Sequence, residues 1–339
     1  MIVKKKIKIK FLNGLELCTF KREVFDINGI SEHFDFELSD NPDFIIFGPY
    51  GNNIPIKGDY KRIGYFCENV TPDLSICNWA FGIPLEAEIN NPKYRRIQWH
   101  GFDPNKLVKN FSDNDIDRII NSRNRFCNFL YSNPVPYRED FFKQLSKYKR
   151  IDAPGKSMNN MPSIDSKDNG YLFTQKNLFI SHYKFTIAFE NYVYPGYQTE
   201  KLYDSMYANS LPIYCGDEHV NDIFNHNSFL NALDFVNVQK NAVVNYIQKN
   251  SQPNFTDLRP SFYKSPINRM QRKLKYIGRS YSMNRKFKNV DFSPLIDRVI
   301  EIDNNVDLYA KYLKEPWLKQ NQIPITSSSR DTWLSIFNS

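Results

Sequence analysis

Short apolar runs separated by polar turns recur along the chain, and this alternation is typical of an α/β protein. The runs at 43–47, 61–67, 184–189 and 211–215 are rich in β-branched and aromatic residues, which predicts buried strands. Residues 1–12 alternate Lys with Ile, which predicts a first strand with one face in water. A basic run and a further strand at 123–131 restart the pattern, so we expect a second domain from there.

The stretch Tyr183–Asp217 predicts a strand, a polar loop, a helix and a second strand. Thr199 is a suitable N-cap for the helix. A helix that starts at the end of a parallel strand favours an anion, and Lys201 adds a positive charge at that point. An ordinary βαβ unit with a solvated Glu200–Lys201 pair explains the same periodicity.

Composition narrows the class of protein. The chain has 339 residues, a net charge of +8 and 41% hydrophobic residues, which is enough for two packed domains. Its five cysteines are scattered without a CxxC pair, so we expect neither a disulfide framework nor a zinc site. This use of cysteine favours a reducing compartment. Residues 1–12 lack the apolar core of a signal peptide, and no apolar run is long enough for a transmembrane anchor. A cytoplasmic protein is the resulting expectation.

Glu68 follows the predicted strand 61–67 directly. The carboxyl ends of strands are where α/β sheets bind ligands, so a carboxylate there is a candidate for catalysis. Position alone favours a surface loop acid.

Three blocks follow one another between residues 185 and 217: FTIAFEN, GYQTEKLYD and LPIYCGD. They resemble the donor-binding signature of the α-1,3/1,4-fucosyltransferases, glycosyltransferase family 10, although Gln198 and Cys215 replace the usual aliphatic and aromatic residues. GYFCENVTPD, WAFGI and NPKYRRI resemble the acceptor-side motif of bacterial members, and residues 289–324 resemble the C-terminal helices.

The resemblance implies a GT-B-like α/β fold, with two Rossmann-like domains facing a central cleft. We place an acceptor-side domain at 1–122, to which a C-terminal helix at about 315–339 returns. The donor-binding domain is expected at 123–314, with a basic insertion at about 250–288 that should be separable from catalysis.

The resemblance also implies an inverting transfer of L-fucose from GDP-fucose to an acceptor glycan, such as the GlcNAc or Glc of a lactosamine-type oligosaccharide. Glu68 matches the catalytic base, and Lys201 and Lys156 are expected to neutralise the leaving diphosphate. In the family the Lys156 position usually carries an Arg, and Arg150 is the alternative here. The expected GDP-fucose-binding residues are Glu190, Asn191, Tyr197, Thr199, Glu200, Lys201, Lys156 and Arg150. No Asp-x-Asp motif is placed to hold a metal against the diphosphate, so we expect no required metal or cofactor.

Two other functions remain open from the sequence. One is a GT-B glycosyltransferase with a different nucleotide-sugar or acceptor. The other is a non-catalytic protein that binds glycans or membranes. The linkage formed, α-1,3, α-1,4 or α-1,2, is also open.

The segment 259–288 carries ten Lys or Arg residues and no Asp or Glu, which exceeds the net charge of the whole chain. Apolar residues are interleaved with these charges. Contact with an acidic membrane or an acidic acceptor, phosphate contacts with nucleic acid, and a solvated loop are three interpretations of this pattern. We favour the membrane or acceptor and expect no nucleic acid.

Overall fold

A computed structural model describes residues 4–99, 102–164, 172–239, 241–324 and 327–339. The chain divides into two compact units. The first contains residues 1–103, 242–282 and 325–339, and the second contains residues 104–241 and 283–324.

Each unit is built from parallel strands and helices. The strands are β1 (Lys5–Leu12), β2 (Phe34–Leu38), β3 (Phe44–Phe47), β4 (Lys61–Phe66), β5 (Trp79–Gly82), β6 (Tyr94–Arg96), β7 (Arg125–Asn128), β8 (Ile151–Asp152), β9 (Tyr183–Phe189), β10 (Leu211–Cys215) and β11 (Leu230–Asn231). The α-helices are α1 (Leu17–Phe20), α2 (Glu86–Ile89), α3 (Asp113–Ser122), α4 (Pro136–Leu145), α5 (Leu172–Ile180), α6 (Glu200–Tyr207), α7 (Ala242–Asn250), α8 (Pro266–Lys286), α9 (Ser293–Asn304), α10 (Val306–Lys314) and α11 (Ser327–Asn338).

The first unit contains a parallel sheet in the order β2-β1-β3-β4-β5-β6. The Lys-Ile alternation of β1 leaves one face of the strand in water, as predicted, because Ile7 and Ile9 are buried while the intervening lysine is exposed. Helix α11 returns to this unit, where Trp333 stacks on Phe81 with ring centroids 4.1 Å apart. Phe255, from the middle of the chain, also packs in this core against Phe66.

The second unit contains a parallel sheet in the order β11-β10-β9-β7-β8. Strand β9 is almost wholly buried, which explains its continuous apolar sequence. Helix α6 follows it and turns Leu202, Tyr203 and Met206 into the core. The two parallel sheets confirm the α/β, GT-B-like class.

The boundaries of the two compact units differ from the expected domain boundaries. Helix α3 lies in the second unit because it packs against α10, and Lys314 Nζ lies 2.7 Å from Asp113 Oδ1. Residues 242–282 group with the first unit rather than with the donor-side unit. The C-terminal return begins near 325, later than the expected 315.

The expectations about the cysteines and about a transmembrane helix can be compared with the structure. All five cysteines are free thiols. Within the described ranges, no helix combines the length and the apolar character needed to cross a bilayer.

Candidate active site

Glu68 lies where the sequence placed it, just past the carboxyl end of β4. Its side chain is exposed, and its Oε1 accepts a hydrogen bond from the Tyr50 hydroxyl. Tyr50 follows the neighbouring parallel strand β3, so two adjacent strand ends bring the pair together. A carboxylate held by a phenol at this edge can accept a proton from a bound hydroxyl group.

The loop that carries Glu68 is fixed from both sides. The Thr71 amide donates to the Pro253 carbonyl at 2.9 Å, and the Phe255 amide donates to the Thr71 carbonyl at 2.9 Å. Burial and the neighbouring Glu68 carboxylate raise the pKa of the Cys67 thiol to about 11. Cys67 is therefore protonated near neutral pH and is a poor nucleophile.

A cavity of about 330 Å³ opens in the second unit at the carboxyl ends of β7, β8 and β9. This is the edge at which parallel sheets bind ligands. Its lining residues are Leu130, Tyr131, Ser132, Asn133, Arg138, Pro154, Gly155, Ser163, Ile164, Lys176, Asn191, Glu200 and Lys201.

Lys201 is anchored in the first turn of α6, and its side chain is only 15% exposed. Its Nζ lies 3.3 Å from Glu190 Oε2 and 3.4 Å from Glu200 Oε1, and it donates to the Thr199 hydroxyl at 2.9 Å. Thr199 occupies the predicted N-cap position, but its hydroxyl donates to Glu190 and does not cap the helix. The Glu190 carboxylate accepts the Thr199 amide at 2.8 Å. These contacts hold the ammonium at the cavity wall.

Burial and mutual electrostatic interaction together determine the pKa values of Glu190, Lys201 and Glu200. Burial raises the pKa of Glu190, which has no exposed surface, although Lys201 opposes the shift. Burial disfavours the charge of Lys201, but Glu190 and Glu200 outweigh it and raise its pKa. Burial also opposes ionisation of Glu200, yet Lys201 and Lys176 keep its pKa below the ordinary value. Lys201 therefore presents a permanent cation to the cavity.

Arg138 is a second cation of the lining, and the sequence analysis did not identify it. Its side chain is fully buried and donates to the carbonyls of Phe189 and Asn133, at 3.2 and 2.6 Å, and to Asn191 Oδ1 at 3.1 Å. Within the described ranges, no carboxylate lies at salt-bridge distance from this guanidinium. A buried charge with only neutral acceptors is costly unless an anion binds beside it.

A sequence signal for Arg138 exists. With Phe141, Phe142 and Leu145 it completes the i, i+3, i+4, i+7 pattern of the buried face of α4. A charged residue on an apolar helical face needs a partner, and here the cavity offers room for one.

Lys176 of α5 completes the set of cations. Its Nζ lies 2.5 Å from Asp204 Oδ2, and the Asp204 side chain is 2% exposed. Burial raises the pKa of Asp204 even though Lys176 opposes the shift. Gly155 also lines the cavity, and a Cβ added to it would lie 2.1 Å from the Tyr131 carbonyl oxygen, so only glycine fits there.

The structure brings some of the proposed donor residues together and leaves others apart. Asn191, Glu200 and Lys201 line the cavity, with Glu190 and Thr199 directly behind Lys201. Tyr197 is half-buried in the preceding loop and does not belong to the lining.

The two basic residues suggested beside the diphosphate, Lys156 and Arg150, are not part of the cavity lining. Lys156 is exposed and outside the lining, although its neighbour Gly155 is part of it. Arg150 precedes β8 and donates to Asp152 at 3.0 Å. Arg138 occupies the cavity wall in their place.

The described ranges contain no cluster of three or more His, Cys, Asp or Glu side chains arranged to hold a metal ion.

Comparison with known families gives two matches. The model described as "Glycosyltransferase family 10 (fucosyltransferase) C-term" matches residues 120–256. The model described as "Alpha-(1,3)-fucosyltransferase FucT N-terminal domain" matches residues 9–102. The first match includes the cavity lining, and the second includes Glu68 and Tyr50.

Sequence identity to individual relatives is low. The chain is 26% identical to a putative fucosyltransferase of Acanthamoeba polyphaga mimivirus, over 79% of this chain and 41% of the relative. It is 26% identical to the alpha-(1,3)-fucosyltransferase FucT of Helicobacter pylori, over 89% of this chain and 67% of the relative. The chain therefore spans less than half of the viral relative.

Solved structures show the same fold. A crystal structure of an alpha1,3-fucosyltransferase with GDP has a TM-score of 0.64 at 21% identity, covering 100% of this chain and 92% of the other. A crystal structure with GDP-fucose has a TM-score of 0.64 at 20% identity, covering 100% and 93% of the two chains.

Proposed function

Because the chain belongs to glycosyltransferase family 10, we propose that it transfers L-fucose from GDP-fucose to a hydroxyl group of an acceptor glycan. The observation that carries this proposal is the convergence of Arg138, Lys176 and Lys201 on one cavity at the carboxyl ends of three parallel strands. Three cations around one small cavity suit the two phosphates of a nucleoside diphosphate.

The reaction is a single displacement that inverts the anomeric carbon. The acceptor oxygen forms a bond to this carbon while the bond to the diphosphate oxygen breaks, and GDP leaves with the electron pair. Glu68 takes the proton of the acceptor hydroxyl. Lys201, Arg138 and Lys176 stabilise the negative charge that grows on the departing diphosphate.

The remaining residues of the cavity position the donor. Glu200 stays ionised beside Lys201, so its free oxygen can accept hydrogen bonds from the ribose hydroxyls. Asn191 accepts from Arg138 through Oδ1, which leaves its amide group to donate to the sugar or a phosphate. Glu190 acts behind them, as the buried counter-ion that fixes Lys201.

The acceptor is proposed to be a lactosamine-type oligosaccharide, linked through O3 or O4 of its GlcNAc or Glc. Product analysis after incubation with GDP-fucose and N-acetyllactosamine, lacto-N-biose, lactose or chitobiose tests this assignment. A parallel panel of GDP-mannose and UDP-sugars tests the donor. Transfer from one of those donors in preference to GDP-fucose would contradict the proposed function, and absence of GDP release with every acceptor would favour a binding protein.

Activity should survive removal of divalent cations, because fixed side-chain cations are proposed to neutralise the diphosphate. We expect EDTA-treated protein to keep most of its transfer rate, with a modest stimulation by Mg²⁺ at most. The rate is measured as GDP release before and after chelation. Complete loss that only Mn²⁺ or Mg²⁺ restores would show that a metal is required.

Replacing Arg138 by lysine should weaken GDP binding roughly tenfold to a hundredfold, since hydrogen bonds to charged groups contribute about 1.5–3 kcal/mol. Lysine keeps the charge but loses the planar fork that reaches several acceptors at once. Calorimetric titration with GDP measures the effect, and Arg118→Lys on the exposed surface of α3 is a matched control.

The same titration compares Arg138 with the residue suggested by the sequence. Lys156→Met should change GDP affinity little, because Lys156 lies outside the cavity lining. A large loss in Lys156→Met together with normal binding in Arg138→Lys would restore the sequence-based assignment.

A further inference from the structure

The part of helix α8 that belongs to the first unit, residues 266–282, has a small and polar inner face. A Cβ added to Gly278 would lie 2.0 Å from Ser251 Oγ, so the helix approaches the end of α7 closely there. On the same face, Lys275 Nζ lies 2.5 Å from Asp257 Oδ2 and Arg279 donates to the Ser251 carbonyl at 2.7 Å. Polar and close backbone contacts, rather than an apolar stripe, attach α8 to the first unit.

The apolar stripe of α8 faces outward instead. Its members recur at intervals of three and four residues, and between 47% and 63% of each is exposed: Ile267, Met270, Leu274, Ile277 and Tyr281. A surface helix normally turns such a stripe into the core. Leaving these side chains in water has a free-energy cost that a partner would remove.

Positive charge surrounds this stripe. Ten Lys or Arg residues and no acidic residue occur between 259 and 288. Five of the basic side chains are exposed: Lys264, Arg269, Lys273, Arg285 and Lys288. A partner that covers the stripe therefore also contacts a segment whose charged side chains are all positive.

Three kinds of partner can be compared with these two features. A second copy of the chain could cover the stripe, whose three-four spacing suits a coiled coil, but it would bring like charges together. Nucleic acid would pair with the charges and leave five apolar side chains in water. The surface of an anionic bilayer accommodates both, because acyl chains receive the stripe and headgroups pair with the lysines and arginines.

We propose that the exposed face of α8 is a docking surface for anionic lipid bilayers. The helix lies in the plane of the interface, with its stripe inserted among the acyl chains and its basic side chains extended to the headgroups. Val243 and Tyr246 of the adjacent α7 are 64% and 70% exposed and add apolar surface on the same unit. This inference does not depend on the proposed fucosyl transfer.

Point substitutions test the proposal better than deletion. Deleting 259–288 would remove the buried side chains of Met283 and Phe287 together with the exposed face of α8. A loss of vesicle binding would then not identify the part of the segment that is responsible. Substitutions at exposed positions of α8 leave the buried side chains in place.

The experiment measures co-sedimentation of the full chain with phosphatidylcholine vesicles, with and without phosphatidylglycerol. Wild-type protein should bind the anionic vesicles at low salt and lose this binding as the Debye length shrinks to about 8 Å at physiological ionic strength. A stripe variant (Met270→Ser, Leu274→Ser, Ile277→Ser) and a charge variant (Arg269→Gln, Lys273→Gln, Arg285→Gln) should each bind at least about tenfold more weakly. Ile56→Ser, which is 79% exposed in the wild type, serves as the surface control and should bind normally.

The outcomes separate the three partners. Equal binding to neutral and anionic vesicles, or normal binding by both variants, would overturn the proposal. A wild-type dimer that the stripe variant converts to a monomer, without vesicle binding, would identify a second copy as the partner. Salt-sensitive binding of a DNA or RNA duplex that only the charge variant loses, again without vesicle binding, would identify nucleic acid.

Circular dichroism melting should be unchanged in both variants, and a large loss of stability in the stripe variant would show that its side chains are buried against protein.

Discussion

Replacing Lys201 by methionine should weaken GDP binding roughly tenfold to a hundredfold, in keeping with ~1.5–3 kcal/mol for hydrogen bonds between charged groups. The ammonium is held at the cavity wall by Glu190, Glu200 and Thr199, so it needs little rearrangement to meet a phosphate. Because negative charge grows on the diphosphate as it leaves, the cation would stabilise the transition state more than the ground state, and kcat should fall as well. Calorimetry with GDP and steady-state kinetics with GDP-fucose measure the two effects.

A second variant separates phosphate binding from structural support. Lys201→Met alone leaves the fully buried Glu190 without its cation, which is expected to lower the melting temperature. The double variant Lys201→Met/Glu190→Gln removes both charges and should melt closer to the wild type, while its GDP affinity stays low. Restoration of GDP affinity in the double variant would show that Lys201 serves only to neutralise Glu190.

The strands were predictable because burial dictates their composition. Strand β9 runs through the core of the second unit, so its residues are continuously apolar and mark its position in the sequence. The start of α6 was equally clear, since Thr199 occupies the N-cap position that its side-chain type favours. The hydroxyl of Thr199 nevertheless binds Glu190, because a buried carboxylate competes for the donor.

Arg138 and the domain boundaries depend on contacts between distant parts of the chain. The sequence shows a positive charge on an apolar helical face, but only the fold shows the Phe189 carbonyl at the end of β9 and the cavity beside it. Likewise, Phe255 joins the first unit through a contact with Phe66, almost two hundred positions earlier in the chain.

Glu68→Gln should reduce the rate of transfer by ~10²–10⁴-fold, the usual contribution of a general base. Glutamine keeps the size of the side chain, and its carbonyl oxygen can still accept the hydrogen bond of Tyr50. GDP-fucose binding should stay near the wild-type level, because the substitution alters no residue of the donor cavity. Asp59→Asn, at an exposed position just before the same strand, is the matched control and should transfer fucose normally.

An acceptor that needs no base tests the role of Glu68 directly. Azide is already an anion, so Glu68→Ala should form fucosyl azide at a rate similar to the wild type while it fails to use a sugar hydroxyl. The comparison isolates proton removal, since donor and leaving group are the same in both reactions. Equal losses with azide and with the sugar acceptor would mean that Glu68 organises its loop and does not remove the proton. Near-normal transfer to sugar acceptors in both Glu68 variants would exclude it as the base.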